Sequence, residues 1–404
     1  MRCQVCDDDK LFNFLNLGEH PACIFLSEAE FKTEKRFTLD VWYCPTCGLV
    51  QLGHPVDQNI LFGDDYHHIA ALSSSFKEHL KDLAAETAGK FHLTSKDLVV
   101  ELGSNDGALL EAFTPHGVKV LGVDPSDVAE IAIAKGIHTI RAFFNEGLAA
   151  KMVQEHGKAK IIASLNTFAH VSNLDSFVRG VRDLLTDDGA FITESHYVLD
   201  LIKDLQYDFI YHEHSRYYAV RTLAHLFEKH GMEVFDVERI PTHSGSIRVY
   251  AGKKGAHPVS QVVGDLLKAE VDAGLTKKET YIEFAKKVQE HKTIFVKFLK
   301  DIRAKGQRIA GLTFPARAVT LLNFCGIGPE TLECITEMST LKIGRYSPGT
   351  HIKVVDQEML FRDGAPEYGL LLSWHIAKEI LPRFKAKGFK GKFILPLPTP
   401  TIVD

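Results

Sequence analysis

The feature that most constrains this chain is the stretch Leu98-Val-Val-Glu-Leu-Gly-Ser-Asn-Asp-Gly107. An apolar run at 98–100 ends in an acid, Glu101, and enters a short turn bounded by Gly103 and Gly107 with Asn105 between them. Beyond it, Ala108-Leu-Leu-Glu-Ala-Phe113 has the periodicity of a helix start. Strand, glycine turn and helix form the unit by which an α/β sheet brings bare backbone up to a nucleotide-like ligand. The spacing is Gly-x-x-x-Gly, without the third glycine of the dinucleotide fingerprint, which argues against an NAD-dependent dehydrogenase. A second run, Lys119-Val-Leu-Gly-Val-Asp124, ends in another acid, placed to take two ribose hydroxyls.

From about 57 to 255 the pattern alternates. Strand-like runs at 98–100, 118–123, 161–165, 190–193, 232–240 and 246–251 are separated by amphipathic stretches at 76–87, 128–135, 174–185 and 222–230. This is the βαβ rhythm of a doubly wound, mainly parallel sheet, which binds its ligands beyond the carboxyl ends of its strands. At that edge lie Asn166-Thr-Phe-Ala-His170 and the aromatic segment Tyr207-Asp-Phe-Ile-Tyr-His-Glu-His-Ser-Arg-Tyr-Tyr218. Asn166, His170, Tyr211, Glu213 and His214 could therefore converge on one reacting centre. A histidine near its unperturbed pKa of ~6.5 takes a proton at neutral pH, and a carboxylate can orient it. Tyr211 could donate to a developing oxyanion. The alternative is a His- and Tyr-rich loop that packs a surface, in a chain with 20 histidines.

Four of the seven cysteines stand as Cys3-x-x-Cys6 and Cys44-x-x-Cys47. Two such knuckles supply four thiolates, which suit tetrahedral Zn²⁺ and leave no open coordination position, so a structural zinc ribbon with an insertion is expected. Strand-like pieces lie between the knuckles at 11–15 and 37–43. A disulfide pair is the alternative. Cys23, Cys325 and Cys334 have no partners at such spacing and read as packing residues, as do His20 and His54 at the surface or in packing. With 404 residues and 45% apolar composition there is material for two or three cores, at roughly 100–200 residues each. A net charge of −5 argues against a nucleic-acid partner. No run approaches the ~18 apolar residues of a membrane span, and the first residues lack a signal-peptide core. The chain is expected to be cytoplasmic, a monomer or small homo-oligomer, with its thiols reduced.

The C-terminal third changes character. Residues 257–305 are charge-rich and helical and read as a solvated connector. Strands at 308–312, 351–355, 369–372 and 393–397, with helices at 317–324 and 376–385, then describe a small Rossmann-like domain. Asn323 and Arg345 fall at turns where a nucleotide could sit, or where they simply pack.

Glu101 and Asp124 at successive strand ends resemble the S-adenosylmethionine (SAM) site of a class I methyltransferase, with Gly103, Asn105, Gly107 and Asn166 completing it. The whole chain resembles the nucleotide-sugar C-methyltransferases. The match is carried by the paired knuckles with Cys44-Pro-Thr-Cys-Gly-Leu-Val-Gln51, by Glu101-Leu-Gly-Ser-Asn-Asp-Gly107, by Tyr211-His-Glu-His214, by Thr320-Leu-Leu-Asn-Phe-Cys-Gly-Ile327 and by Gly344-Arg-Tyr-Ser-Pro-Gly-Thr-His351. The resemblance implies three parts: a four-cysteine zinc domain over 1–60, a SAM fold over 61–255, and a connector with a nucleotide-sugar domain over 256–404. It also implies the substrate, a dTDP- or similarly linked 4-keto-6-deoxy sugar whose C3 proton is acidified by the C4 ketone. His214 would remove that proton, supported by Tyr211 and Glu213, with His170 and Asn166 lining the same pocket. His68, Tyr207, Ser244, Arg317, Asn323 and Arg345 would meet the substrate. Three positions depart from the family: His68 replaces a tyrosine, Arg317 replaces a lysine in a loop where Thr313 replaces a glycine, and Trp374-His375 replaces Trp-Asn. Two other readings are a zinc-ribbon RNA or protein methyltransferase, and a non-catalytic binding protein on the same scaffold.

Overall fold

The structure is a computed structural model and describes residues 1–61 and 74–404. The departure at His68 lies outside the described residues. The first strands, β1 (Phe12–Pro21), β2 (Arg36–Tyr43) and β3 (Val50–Leu52), form an antiparallel sheet. The central part adds β4 (Leu98–Leu102), β5 (Lys119–Val123), β6 (Thr139–Ile140), β7 (Ala159–Leu165), β8 (Leu185–His196), β9 (Arg216–Tyr217), β10 (Met232–Ile240) and β11 (Ser246–Lys253). The last part holds β12 (Ile309–Leu312), β13 (Ile335–Glu337), β14 (Val354–Asp356), β15 (Tyr368–Leu371), β16 (Lys392–Leu395) and β17 (Thr401–Val403).

The central sheet runs β10-β11-β8-β7-β4-β5-β6. β4, β5, β6, β7 and β8 run parallel to one another, and β11 is antiparallel to both β8 and β10. Alternation along β4 explains why it lies in the middle: Leu98, Val100 and Leu102 face one core and Val99 the other. The helix Leu174–Leu184 covers the first of these faces with Leu174, Phe177, Val178, Val181 and Leu184, an i, i+3, i+4, i+7 stripe. From β4 the chain winds outward through β5 and β6, then returns to β7 on the other side. That reversal opens a crevice between the carboxyl ends of β4 and β7, where such sheets bind ligands.

The third sheet runs β14-β13-β12-β15-β16-β17, parallel except for β17. β13 and β17 are additions to the four strands expected from the sequence. Each has three residues, too few to show a period of two.

The expectation of a solvated connector needs correction. The helix Lys278–Ala304 does present Glu283–Lys287, Lys286–Glu290 and Lys297–Asp301 pairs to solvent. Its other face buries Tyr281, Phe284, Val288, His291, Phe295, Leu299 and Ile302. Tyr281 stacks on Tyr43 with centroids 4.1 Å apart and packs on Phe14 at 5.1 Å. One core therefore joins the N-terminal strands, the segment around 198–219 and the C-terminal domain. Among the described residues, no helix is long and apolar enough to cross a membrane.

A second buried joint involves Glu270, on the helix Gln261–Asp272. Its carboxylate accepts from the Val220 N–H (2.6 Å), the Arg221 N–H (3.1 Å) and the Tyr197 hydroxyl (2.8 Å). It thus caps the start of the helix Val220–Lys229, where free N–H groups and the helix dipole both favour an anion. Glu270→Ala leaves three buried donors unpaired and is expected to cost about 3 kcal/mol, read as a lowered unfolding midpoint. A loss below about 1 kcal/mol would show that the helix start finds other partners.

Candidate active site and metal centre

The loop after β4 is built around two glycines. Gly103 has φ +80° and passes so close to the Thr167 side chain that a Cβ would collide with it. Gly107 has φ +75°, caps the helix Ala108–Phe113, and has Ile137 and Ala132 at 2.7 and 2.9 Å from where its Cβ would stand. Between them Asn105, at φ 49°, gives its N–H to Asp124 Oδ2 at 2.8 Å. Asp124 Oδ1 accepts from the Ser126 N–H at 2.9 Å and its hydroxyl at 2.6 Å. Of about four acceptor directions on that carboxylate, three are thus in use, which leaves less room for two ribose hydroxyls than the sequence suggested. The open acceptor is on Glu101. It is buried, and its Oε2 has no hydrogen-bond partner among the described residues. Burial, with Asp124 and Asp106 nearby, holds its carboxyl well above the usual range. A ligand bearing hydroxyl or cationic groups would satisfy that oxygen and stabilise its charge. Glu101, Gly103, Asn105, Gly107 and Asp124 therefore fit a SAM-like molecule.

The residue after Gly103's neighbour Thr167 leads into the turn Phe168–His170, and the residue before it, Asn166, lines a small cavity with Ala169, Ser195, His196, His214 and Arg216. His214 Nε2 lies 2.9 Å from the Tyr211 hydroxyl. The His170 ring meets the His214 ring edge-on, with centroids 4.8 Å apart. Burial first, then the neighbouring His170, His196, His243 and Arg317, holds His214 well below its usual value, so its ring is neutral at pH 7. Asn166, His170, Tyr211 and His214 are thus brought together beside the glycine loop.

Glu213 points elsewhere. Burial pushes its carboxyl up to about 7, against the pull of its own amide and that of Cys23. Because the folded value exceeds the ordinary 4.5, its contribution is full below that pH and is lost as pH rises through about 7. The loss amounts to roughly 3 kcal/mol by pH 8. Glu213→Gln is therefore expected to flatten the fall in melting temperature between pH 5 and 8; an unchanged slope would place the ionisation elsewhere.

Four residues expected at the substrate do not line this cavity. Tyr207 is fully buried and its hydroxyl contacts His291 Nδ1 at 3.0 Å, because the segment dives into the shared core. Arg317 gives both arms of its fork to Asp208, Nε and Nη2 each at 2.7 Å, so the fork expected to meet the substrate is already occupied. Asn323 donates to the Val319 and Pro348 carbonyls and locks the 344–351 turn. Arg345 is exposed and donates to the Phe25 carbonyl, because that turn docks on the N-terminal module. Ser244, at φ 66°, sits nearer: its carbonyl accepts from Gln206, whose Oε1 lies 2.8 Å from His196 Nε2.

Sequence reasoning missed His196 and His243. His196 stacks on Phe209 at 3.9 Å and is pushed down to about 3 by burial. Its signal was its place, since it ends β8 at the ligand-binding edge. His243 adopts φ 55° in a turn that no periodicity announces, and it faces His375 at 6.1 Å.

In the N-terminal module, the Sγ atoms of Cys3, Cys6, Cys44 and Cys47 all lie within 4.8 Å of one another. Cys3 and Cys47 are 3.5 Å apart, as are Cys6 and Cys44, and none is in a disulfide. Four thiolates at this spacing fit a tetrahedral Zn²⁺ with bonds of ~2.3 Å.

Comparison with known proteins agrees with this layout. A model of a zinc binding domain matches residues 3–62, one of a methyltransferase domain residues 73–237, and one of a C-methyltransferase C-terminal domain residues 241–398. C-methyltransferase NovU of Streptomyces niveus is 34% identical over 409 aligned positions, covering 100% of this chain and 96% of that protein. Among solved structures, a SAM-dependent methyltransferase from Clostridium acetobutylicum ATCC 824 is similar at 13% identity, over 44% of this chain and 92% of that one, with a TM-score of 0.35. Magnesium protoporphyrin IX methyltransferase (ChlM) from Synechocystis PCC 6803 is similar at 15%, over 44% and 79%, with a TM-score of 0.34. The fold assignment rests on the domain matches and on the strand order. With a class I SAM-methyltransferase sheet at its centre and full-length likeness to NovU, the chain belongs to the C-methyltransferase family.

Proposed function

We propose that this enzyme methylates C3 of a nucleotide-linked 4-keto-6-deoxy sugar, with His214 as the base. The observation that carries the reading is the Tyr211–His214 pair beside the Gly103 loop, at the crevice where the sheet binds ligands. Bound SAM supplies an electrophilic methyl group on a sulfonium. Glu101 and Asp124 would hold its polar groups, and the Gly103–Gly107 backbone would lie against it. His214, kept neutral by burial, takes the C3 proton. Tyr211 donates to the oxyanion that develops on the C4 oxygen, and His170 and Asn166 bound the space in which the sugar turns its C3. Each is a group fixed before the reaction, which lowers the cost of orienting the carbanion. The four cysteines would hold Zn²⁺ as a structural ion, since they leave no position for substrate.

The test is to supply SAM and a panel of dTDP- and GDP-linked 4-keto-6-deoxy sugars, then follow mass and the position of the new methyl. Gain of one methyl on carbon, with one nucleotide preferred, supports the reading. Methyl on oxygen, or on RNA or protein with no sugar modified, overturns it.

A further inference from the structure

Residues 207–217 cross the site as a strap with an anchor at each end. Upstream, Asp208 is completely buried. Its carboxylate accepts from Arg317 Nε and Nη2, both at 2.7 Å, and from Trp374 Nε1 at 2.8 Å. The Arg317 guanidinium lies 3.6 Å from the Phe209 ring centre and 4.6 Å from that of Trp374, so it is sandwiched as well as paired. Thr320 Oγ1 donates to the Ile210 carbonyl at 2.6 Å. Arg317, Thr320 and Trp374 all belong to the C-terminal domain. Downstream, the Ser215 carbonyl accepts from the Leu52 N–H at 2.9 Å, and β9 pairs with β3 in the N-terminal sheet. The short piece between the anchors is Tyr211 to His214.

We propose that Arg317 is a positioning residue for His214: through Asp208 it fixes where the strap enters the site, so the C-terminal domain sets the stance of the base. The inference rests on the reading of His214 as that base. A planar fork bonded twice to one carboxylate defines direction as well as distance, which a lysine's single ammonium cannot do. The pair is buried, where water cannot compete for either partner. A displacement of the strap of about 1 Å would carry His214 with it, and such shifts cost on the order of 10²-fold in rate. An arginine that instead gripped the substrate's phosphates would act on binding, not on the reaction of bound sugar.

The two roles separate in kinetics of the full-length, metal-loaded enzyme. Arg317→Lys and Asp208→Asn are each expected to lower kcat and SAM-independent C3 exchange roughly ten- to a hundredfold. KM for the nucleotide sugar should move by less than about threefold, and SAM affinity should hold. The double variant should be no slower than the worse single one, because the clamp breaks only once. A rise in KM with kcat intact for Arg317→Lys alone, or losses that multiply in the double variant, would overturn the proposal. Should the buried variants fail to fold, Trp374→Phe decides, since it removes one N–H and no charge. Lower kcat at unchanged KM supports the clamp, and unchanged kcat overturns it. Absence of exchange in the wild-type enzyme would overturn the assignment of the reaction; wild-type and variants exchanging equally fast would overturn the clamp alone.

Discussion

His214→Asn is expected to lower methyl transfer at least ~10²-fold while SAM affinity stays nearly unchanged. The size follows from the worth of a positioned general base, and the selectivity from geometry. His214 touches Tyr211 and the small cavity, whereas the glycine loop and the acids at the ends of β4 and β5 are separate groups. Asparagine is smaller and polar and removes the basic ring nitrogen, while the anchors at Asp208 and Ser215 still hold the strap. The pH profile carries a second sign. Because the folded environment lowers the imidazole's pKa, the neutral base persists as pH falls, and the acid limb of kcat/KM should lie below the ordinary 6.5. A variant retaining more than about a tenth of the wild-type rate would remove His214 from this role.

Loss of the zinc that the four cysteines would hold should matter nearly as much. Cys44→Ser is expected to release zinc and to destabilise the chain by at least about 3 kcal/mol, since the binding energy of a structural site is folding energy. For a domain of roughly 200 residues that lowers the melting temperature by about 6–12 °C. The effect should reach the site through the sheet. Cys47 is followed by Gly48, Leu49 and then β3, whose Val50 and Gln51 pair with Tyr217 and Arg216 of β9. Arg216 in turn donates to the Val171 and Ser172 carbonyls, beside His170. The cysteine knuckle, the Tyr211–His214 loop and the His170 turn are therefore one hydrogen-bonded run. Metal content, melting temperature and rate should fall together; a zinc-free variant with unchanged melting and full activity would contradict this.

The parts legible in sequence were those with a local signature. β4 with its glycine turn, the cysteine pairs, and the helix Leu174–Leu184 announce themselves through apolar period, positive-φ glycines and thiolate spacing. The Tyr211–His214 pair was legible because both residues lie within one short segment. What stayed hidden depends on residues far apart in the chain. Arg317 reads as a substrate-binding residue until Asp208, 109 positions away, is seen to hold its fork. The helix Lys278–Ala304 reads as solvated because Lys and Glu fill its outer face, while its inner stripe finds partners far away in the chain, in β1, in β2 and at Tyr207. Tyr207 looks like a site residue from its neighbours, yet its hydroxyl is directed to His291.

The most direct measurement is deuterium incorporation at C3 of dTDP-4-keto-6-deoxyglucose in D₂O without SAM, with wild-type and His214→Asn enzyme side by side. Exchange that depends on wild-type enzyme and disappears in the variant is the predicted result, because deprotonation precedes methyl transfer. Exchange of equal rate in both enzymes would contradict the assignment of His214. No exchange with either dTDP- or GDP-linked sugar would contradict enolate chemistry on this substrate class.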